Sequence, residues 1–152
     1  MPSSCTQMEK IAKSVQSMLS AATEDSALIS TSLYMDSSLQ DFVSRQYASP
    51  QDYFSSYREY IHNSLLQGVS RITNSVIRVY ADNETLINGS EFARLSTVSQ
   101  EPWYQQYTAD GYSPRLLFSY DETDGRQVLF LRGMNGLYSD KAECLLCIEI
   151  NY

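Results

Sequence analysis

The apolar positions of this chain change their period twice, and those changes divide it into elements. Met8, Ile11, Val15, Met18 and Ala22 recur at alternating intervals of three and four, which aligns them along one side of a helix. The polar run from Thr23 to Ser26 interrupts the stripe and predicts a break or bend near Glu24. Beyond it Leu28, Ile29, Leu33, Leu39, Phe42 and Val43 resume helical spacing toward Gln46. The stripe covers about two heptads, fewer than a free-standing coiled coil needs. Burial against the chain's own domain is therefore the preferred reading, and homodimerisation through this helix the alternative.

Ser49-Pro50-Gln51-Asp52 sets a capping hydroxyl before a proline at the first helical position, with a carboxylate following, and so predicts a helix start. Phe54, Tyr57, Ile61 and Leu65 are expected to line one face of that helix, and Gly68 to end it. The lone His62 falls one position off the stripe, where solvent contact or a core hydrogen bond suits it better than catalysis.

After Gly68 the period becomes two. Ile77, Val79 and Ala81 alternate with Val76, Arg78 and Tyr80, which gives a strand with two different faces. Asp82-Asn83-Glu84 predicts a turn, Leu86-Ile87 a short second strand pairing back, and Ser90 the cap of a helical turn through Leu95. Pro102 opens a short helix carrying Trp103, Tyr104 and Tyr107, with Trp103 and Tyr107 on one face. Strands are expected over 115–120, 127–132 and 143–150, joined by turns at Asp121 to Gly125 and Gly133 to Lys141. The fold class is α+β, with a five-stranded antiparallel sheet and long N-terminal helices packed on one face. The chain reads as one domain, helical over 1–68 and sheet with short helices over 69–152.

Composition narrows the function. The net charge is -7, and the eleven Lys and Arg residues are scattered, which argues against a nucleic-acid partner. No window reaches the roughly 18 consecutive apolar residues of a membrane span. The chain opens almost directly into a helix and closes on a strand, as expected of a fragment lying between two spans of a membrane-anchored parent. Cys5, Cys144 and Cys147 form no zinc-like pair of pairs, and Cys144 and Cys147, three apart in a strand, are expected to be buried thiols on opposite faces. Asn83-Glu84-Thr85 and Asn88-Gly89-Ser90 fit the glycosylation pattern, and Asp121, Glu122 and Asp124 read as a solvated acidic turn rather than a cation site. With one histidine and no reactive cluster, the chain is read as having no catalytic residue, metal or cofactor, hence as no enzyme.

The order of elements resembles a single Cache domain, the PAS-like extracytoplasmic sensor of bacterial receptors. Leu33-Tyr34-Met35-Asp36-Ser37-Ser38-Leu39-Gln40, the strand into Val79-Tyr80-Ala81-Asp82-Asn83, and Trp103-Tyr104 look most like sensor histidine kinases of Gram-positive bacteria. The resemblance implies an extracellular domain of a two-component receptor that binds a small molecule, a sugar or an amine, on the sheet face opposite the long helix. The kinase would lie elsewhere in the parent chain. The alternative is a structural or dimerisation module of the same fold with no small-molecule ligand.

Strand parity then names the candidate site. If Ile77 and Val79 meet the long helix, Arg78 and Tyr80 turn to the ligand side, with Trp103, Tyr104 and Tyr107 closing it from above. Phe118 with Tyr120, and Phe130 with Arg132, are further wall candidates whose direction the pattern leaves open. Amino-acid sensors of this family place an arginine two residues before the tryptophan; here that residue is Glu101, so the carboxylate fork is missing there.

Overall fold

A computed structural model describes residues 4–62, 64–73, 76–109, 115–121, 125–133 and 143–150; at 4, 5, 15, 18–20, 22, 23, 70–73, 115–121 and 125–128 it describes the backbone alone. Five helices, α1 (Ser4–Tyr34), α2 (Ser37–Ser44), α3 (Pro50–His62), α4 (Leu65–Thr73) and α5 (Pro102–Ala109), accompany strands β1 (Val76–Ala81), β2 (Phe92–Arg94), β3 (Arg115–Asp121), β4 (Gly125–Gly133) and β5 (Cys144–Ile150). The chain is α+β.

The expected break at Glu24 does not occur. α1 runs unbroken for 31 residues, because Thr23 to Ser26 are polar without being helix breakers, and no Gly or Pro interrupts them. It stops where Asp36 leaves helical geometry and its carboxylate accepts from the amides of Ser38 at 3.0 Å and Leu39 at 3.4 Å, starting α2. Such a cap contributes about 1 kcal/mol. Among the described side chains of α1, those that join the core are in its second half, Ser26, Ile29, Ser30 and Leu33 at helical spacing. Met8 and Ile11 remain 68% and 64% exposed, against the preference for burying this stripe in the domain.

Ser49 caps α3 as expected: its hydroxyl accepts from the Asp52 amide at 3.1 Å, and the Asp52 carboxylate accepts from the Ala48 amide at 3.1 Å. The buried face keeps Tyr57 and Ile61 of the predicted stripe but takes Tyr53 and Tyr60 in place of Phe54 and Leu65. Tyr53 is buried, with Tyr57, Tyr60 and Ile61 packed against the core, while Phe54 stands 46% exposed. Tyr57 donates to Glu91 at 2.9 Å, so its polar end is satisfied while its ring packs inward. Gly68 does not terminate this helix either. α3 ends at His62, which is exposed, and Ser64 caps α4 by accepting from the Gln67 amide at 3.1 Å.

The sheet order is β2-β1-β5-β4-β3. β1, β5, β4 and β3 are joined by antiparallel ladders, but β2 joins β1 in parallel, with Val79 opposite Phe92, so the sheet is mixed rather than antiparallel throughout. The second strand also lies later than Leu86-Ile87. Asn83 folds the chain tightly, its side-chain oxygen accepting from the Thr85 amide at 3.0 Å, and Leu86 becomes a buried plug instead of a ladder residue. The excursion to Glu91 then returns the chain to the second half of β1, where the Val79 amide donates to the Glu91 carbonyl at 2.8 Å. Ser90 therefore leads into a strand, followed by a 3-10 turn at Leu95–Thr97.

Two clusters fill the two sides of the sheet. Ile77, Val79, Ala81, Phe130, Cys144, Leu146, Ile148 and Ile150 pack with Ile29, Leu33, Leu39 and the Phe42-Tyr47-Tyr53-Phe92 aromatic group on the helical side. Tyr80, Leu129, Leu131, Leu145 and Cys147 pack with Leu95, Val98 and Tyr107 on the other. Cys144 and Cys147 are buried, form no disulfide with each other and lie in different clusters, so the opposite-face expectation holds. Asn83, first of the two glycosylation triplets, is 2% exposed and donates to the carbonyls of Val43 at 2.9 Å and Arg45 at 2.8 Å. Its amide is thus engaged in holding the end of α2 to the end of β1. The acidic turn at 122–124 lies outside the described residues.

Candidate functional site

β1 contributes the first two side chains of the site. Its burial alternates, with Ile77 and Val79 under the helices, and the register places Arg78 opposite Cys147 and Tyr80 opposite Leu145. Residues directly opposite across an antiparallel ladder share a face. Arg78 and Tyr80 therefore lie on the side away from α1, as expected. The Tyr80 ring is buried, with the exposed Arg78 side chain beside its hydroxyl. Burial, more than the neighbouring Cys147 and against the pull of Arg78, pushes the phenol above its ordinary range.

α5 supplies the cover. Pro102 begins it, and the Glu101 carbonyl accepts from the amides of Tyr104 and Gln105 at 3.1 Å each. The Trp103 ring lies 6.2 Å from Tyr80, tilted by 49°, and 6.2 Å from Tyr104, nearly perpendicular at 86°. These offset and edge geometries are the ones aromatic quadrupoles favour. Trp103 and Tyr104 stay half-buried while Tyr107 is 1% exposed, its hydroxyl accepting from the Gly133 amide at 2.7 Å. That bond fixes α5 to the end of β4.

The structure thus gathers Arg78, Tyr80, Trp103, Tyr104 and Tyr107 on one side of the sheet. Phe130 and Arg132 belong to the other. Phe130 sits in the helical-side cluster, and the Arg132 guanidinium donates to the hydroxyls of Ser30 at 3.2 Å and Thr31 at 3.0 Å while lying 4.5 Å over the Tyr34 ring. Arg132 is a clamp between α1 and β4. The backbone register pairs Phe118 with Val128 and Tyr120 with Arg126, and the side chains of Phe118 and Tyr120 lie outside the description.

The residues that sequence reasoning missed are the apolar floor: Leu129, Leu131, Leu145 and Cys147, with Leu95 and Val98 at the rim. In β4 the alternation was legible, but which parity faces α5 depends on pairing with β5, where Leu131 meets Cys147. Cys147 has its thiol pushed up to about 12 by burial, against the opposing pull of Arg78, and so stays neutral at physiological pH. Among the described residues no group of three His, Cys, Asp or Glu side chains converges, and no helix is long and apolar enough to cross a membrane. Aromatic faces, an aliphatic layer beneath them and a guanidinium at the edge are the kinds of group with which proteins hold small polar molecules. No protein-family model, curated protein or solved structure matches the chain.

Proposed function

We propose that this chain is a Cache-like, PAS-like sensor domain that binds a small molecule on the sheet face opposite α1, as the extracellular part of a membrane-anchored sensor histidine kinase. One observation carries the reading: Tyr80 and Trp103, distant in sequence, meet at 6.2 Å on the side away from the long helices, beside the Arg78 guanidinium. That is the side on which the resemblance implies a ligand. Sensing would then be a population shift, the ligand favouring one pose of α5 and β1 over another.

Trp103 is the single tryptophan, so its emission reports on this site alone. A panel of sugars, amines and carboxylates, screened by thermal shift and Trp103 fluorescence, should contain a compound that raises the melting temperature with concentration. Trp103→Ala and Arg78→Ala should abolish that thermal shift while the far-ultraviolet spectrum stays native. Equal shifts in wild type and both variants would refute the site.

A second reading, a dimerisation module, draws on the exposure of Met8 and Ile11 in a stripe whose spacing continues through Val15, Met18 and Ala22. It expects concentration-dependent dimers in sedimentation, lost in Ile11→Asp; monomers throughout would exclude it. The two readings are compatible, since the stripe and the aromatic site occupy different elements.

A further inference from the structure

β2 stands at one end of the sheet order, with β1 along one of its edges. The backbone groups of successive strand residues point to opposite edges. The Glu91 carbonyl turns toward β1, where the Val79 amide meets it, so the Phe92 carbonyl and the Arg94 amide point outward. Both are met at 2.8 Å, the carbonyl by the Gly89 amide and the amide by the Asn88 side-chain oxygen. Asn88 and Gly89 thus stand in for a neighbouring strand and close an edge that would otherwise offer unpaired groups. The same two residues are an exposed Asn-Gly pair. Residue 89 has no Cβ to shield its backbone nitrogen, so that nitrogen can approach the asparagine Cγ with little steric hindrance once the loop opens.

We propose that Asn88 is a self-deamidation site which the β2 edge holds closed, and that its isoaspartate product uncaps that edge. The Gly89 nitrogen attacks Asn88 Cγ: the N–Cγ bond forms, the Cγ–Nδ2 bond breaks, and ammonia leaves with the amide proton to give a cyclic imide. Water then opens the ring. Breaking the new N–Cγ bond yields aspartate, and breaking the original bond from the Gly89 nitrogen to the Asn88 carbonyl carbon yields isoaspartate. Each event consumes one water and releases one ammonia, with no change of oxidation state. In the folded chain both reacting groups are committed, the Gly89 N–H to Phe92 and the carboxamide oxygen to Arg94, so reaction waits for this loop to open. Aspartate keeps an oxygen where the Arg94 amide needs it, and its charge strengthens that bond. Isoaspartate lengthens the backbone path by a methylene and shortens the side chain by the same amount, so the two caps no longer match the spacing of their partners. Ala93 packs on the cluster that holds Tyr80, so release of β2 reaches the aromatic side of the sheet. The inference stands whether or not a ligand binds there.

The test incubates the intact chain in mildly alkaline buffer with and without urea, following Asn88 by peptide mapping and by isoaspartyl methyltransferase labelling. Two hydrogen bonds of ordinary strength predict conversion about 30-fold slower in the folded chain than in urea. Gly89→Ala, whose methyl would stand at an ordinary 3.9 Å from the Phe92 carbonyl, should slow conversion in both conditions. Arg94 has φ -70°, which proline accepts, and its amide faces outward, so Arg94→Pro removes the donor to Asn88 and spares the β1 ladder. It should speed conversion in the folded chain about 5-fold and leave the rate in urea unchanged. Arg94→Ala loses the Glu84 ion pair but keeps the amide, and should match wild type. The isoaspartate form, separated by ion exchange, should lose hydrogen-exchange protection at Gly89 and Arg94, whereas Asn88→Asp should keep it. Equal conversion of Asn88 in folded and urea-unfolded wild type, or none in either, would overturn the proposal. So would an isoaspartate form with the protection of wild type.

Discussion

The Gly133 amide donates to the Tyr107 hydroxyl at 2.7 Å, joining the last turn of α5 to the end of β4. This bond couples the cover of the candidate site to its floor, because Leu131 lies two residues before Gly133 on the same strand and in the same cluster as Tyr107. Tyr107→Phe keeps the ring in its buried place and removes the acceptor. It should destabilise the domain by about 1 kcal/mol and speed amide exchange in α5 more than in β1. Gly133→Ala should do less, since a methyl there would stand 3.4 Å from the same oxygen, a contact a small shift relieves. Unchanged exchange in α5 would show that the bond does not hold the cover.

Asn83 holds the helical layer to the sheet. Its amide donates to the Val43 and Arg45 carbonyls, and its oxygen accepts from the Thr85 amide and hydroxyl. Asn83→Ala leaves the buried Val43 contact and the part-buried Arg45 contact without this donor and should cost about 1–3 kcal/mol in urea unfolding. Asn83→Asp is nearly isosteric but aims a carboxylate oxygen at those carbonyls, and should be at least as damaging. A loss below about 0.5 kcal/mol in both variants would mean that water replaces the amide.

Arg132 and Tyr34 are predicted to act on stability rather than on ligand binding. The guanidinium lies 4.5 Å from the Tyr34 ring centre, on the helical side. A double-mutant cycle with Arg132→Met and Tyr34→Leu should return a coupling of about 0.5–1 kcal/mol. Any ligand that shifts wild type should shift Arg132→Met equally. A selective loss of binding in that variant would return Arg132 to the site.

Alkaline pH should unfold the domain earlier than its net charge alone suggests. Burial pushes the Cys144 and Cys147 thiols from 9.0 to about 12. The unfolded chain releases these protons first, so their contribution is complete below pH 9 and is lost as pH rises toward 12. Tyr47 and Tyr57, raised from 10.0 to about 12 chiefly by burial, add to the fall above pH 10. The melting temperature should decline from pH 9 upward, and the Cys144→Ala/Cys147→Ala double variant should decline less steeply between pH 9 and 10. Parallel curves would remove the thiols from the account.

Much of the architecture was legible because it is written in local chemistry. The Ser49-Pro50-Gln51-Asp52 cap, the Pro102 helix start and the alternation of β1 each depend on residues within a few positions, and each is found where the pattern puts it. Parity in β1 also sent Arg78 and Tyr80 to the side that α5 covers, because the more apolar half of an alternating strand belongs under the helices. What the pattern left open were choices between equivalent local solutions. Polar Thr23 to Ser26 suit a helix or a bend, and nothing nearby forces the bend.

The sequence by itself determined the α+β class, the two faces of β1 and the aromatic content of α5, since period and capping act over neighbours in the chain. Tertiary structure alone decided that Phe92 rather than Leu86 extends the sheet, that Tyr53 rather than Phe54 enters the core, and that Phe130 and Arg132 face α1. Those outcomes depend on ladder register and on which distant carbonyls Asn83 can reach. They are properties of contacts between segments far apart in the chain, and no local window encodes them.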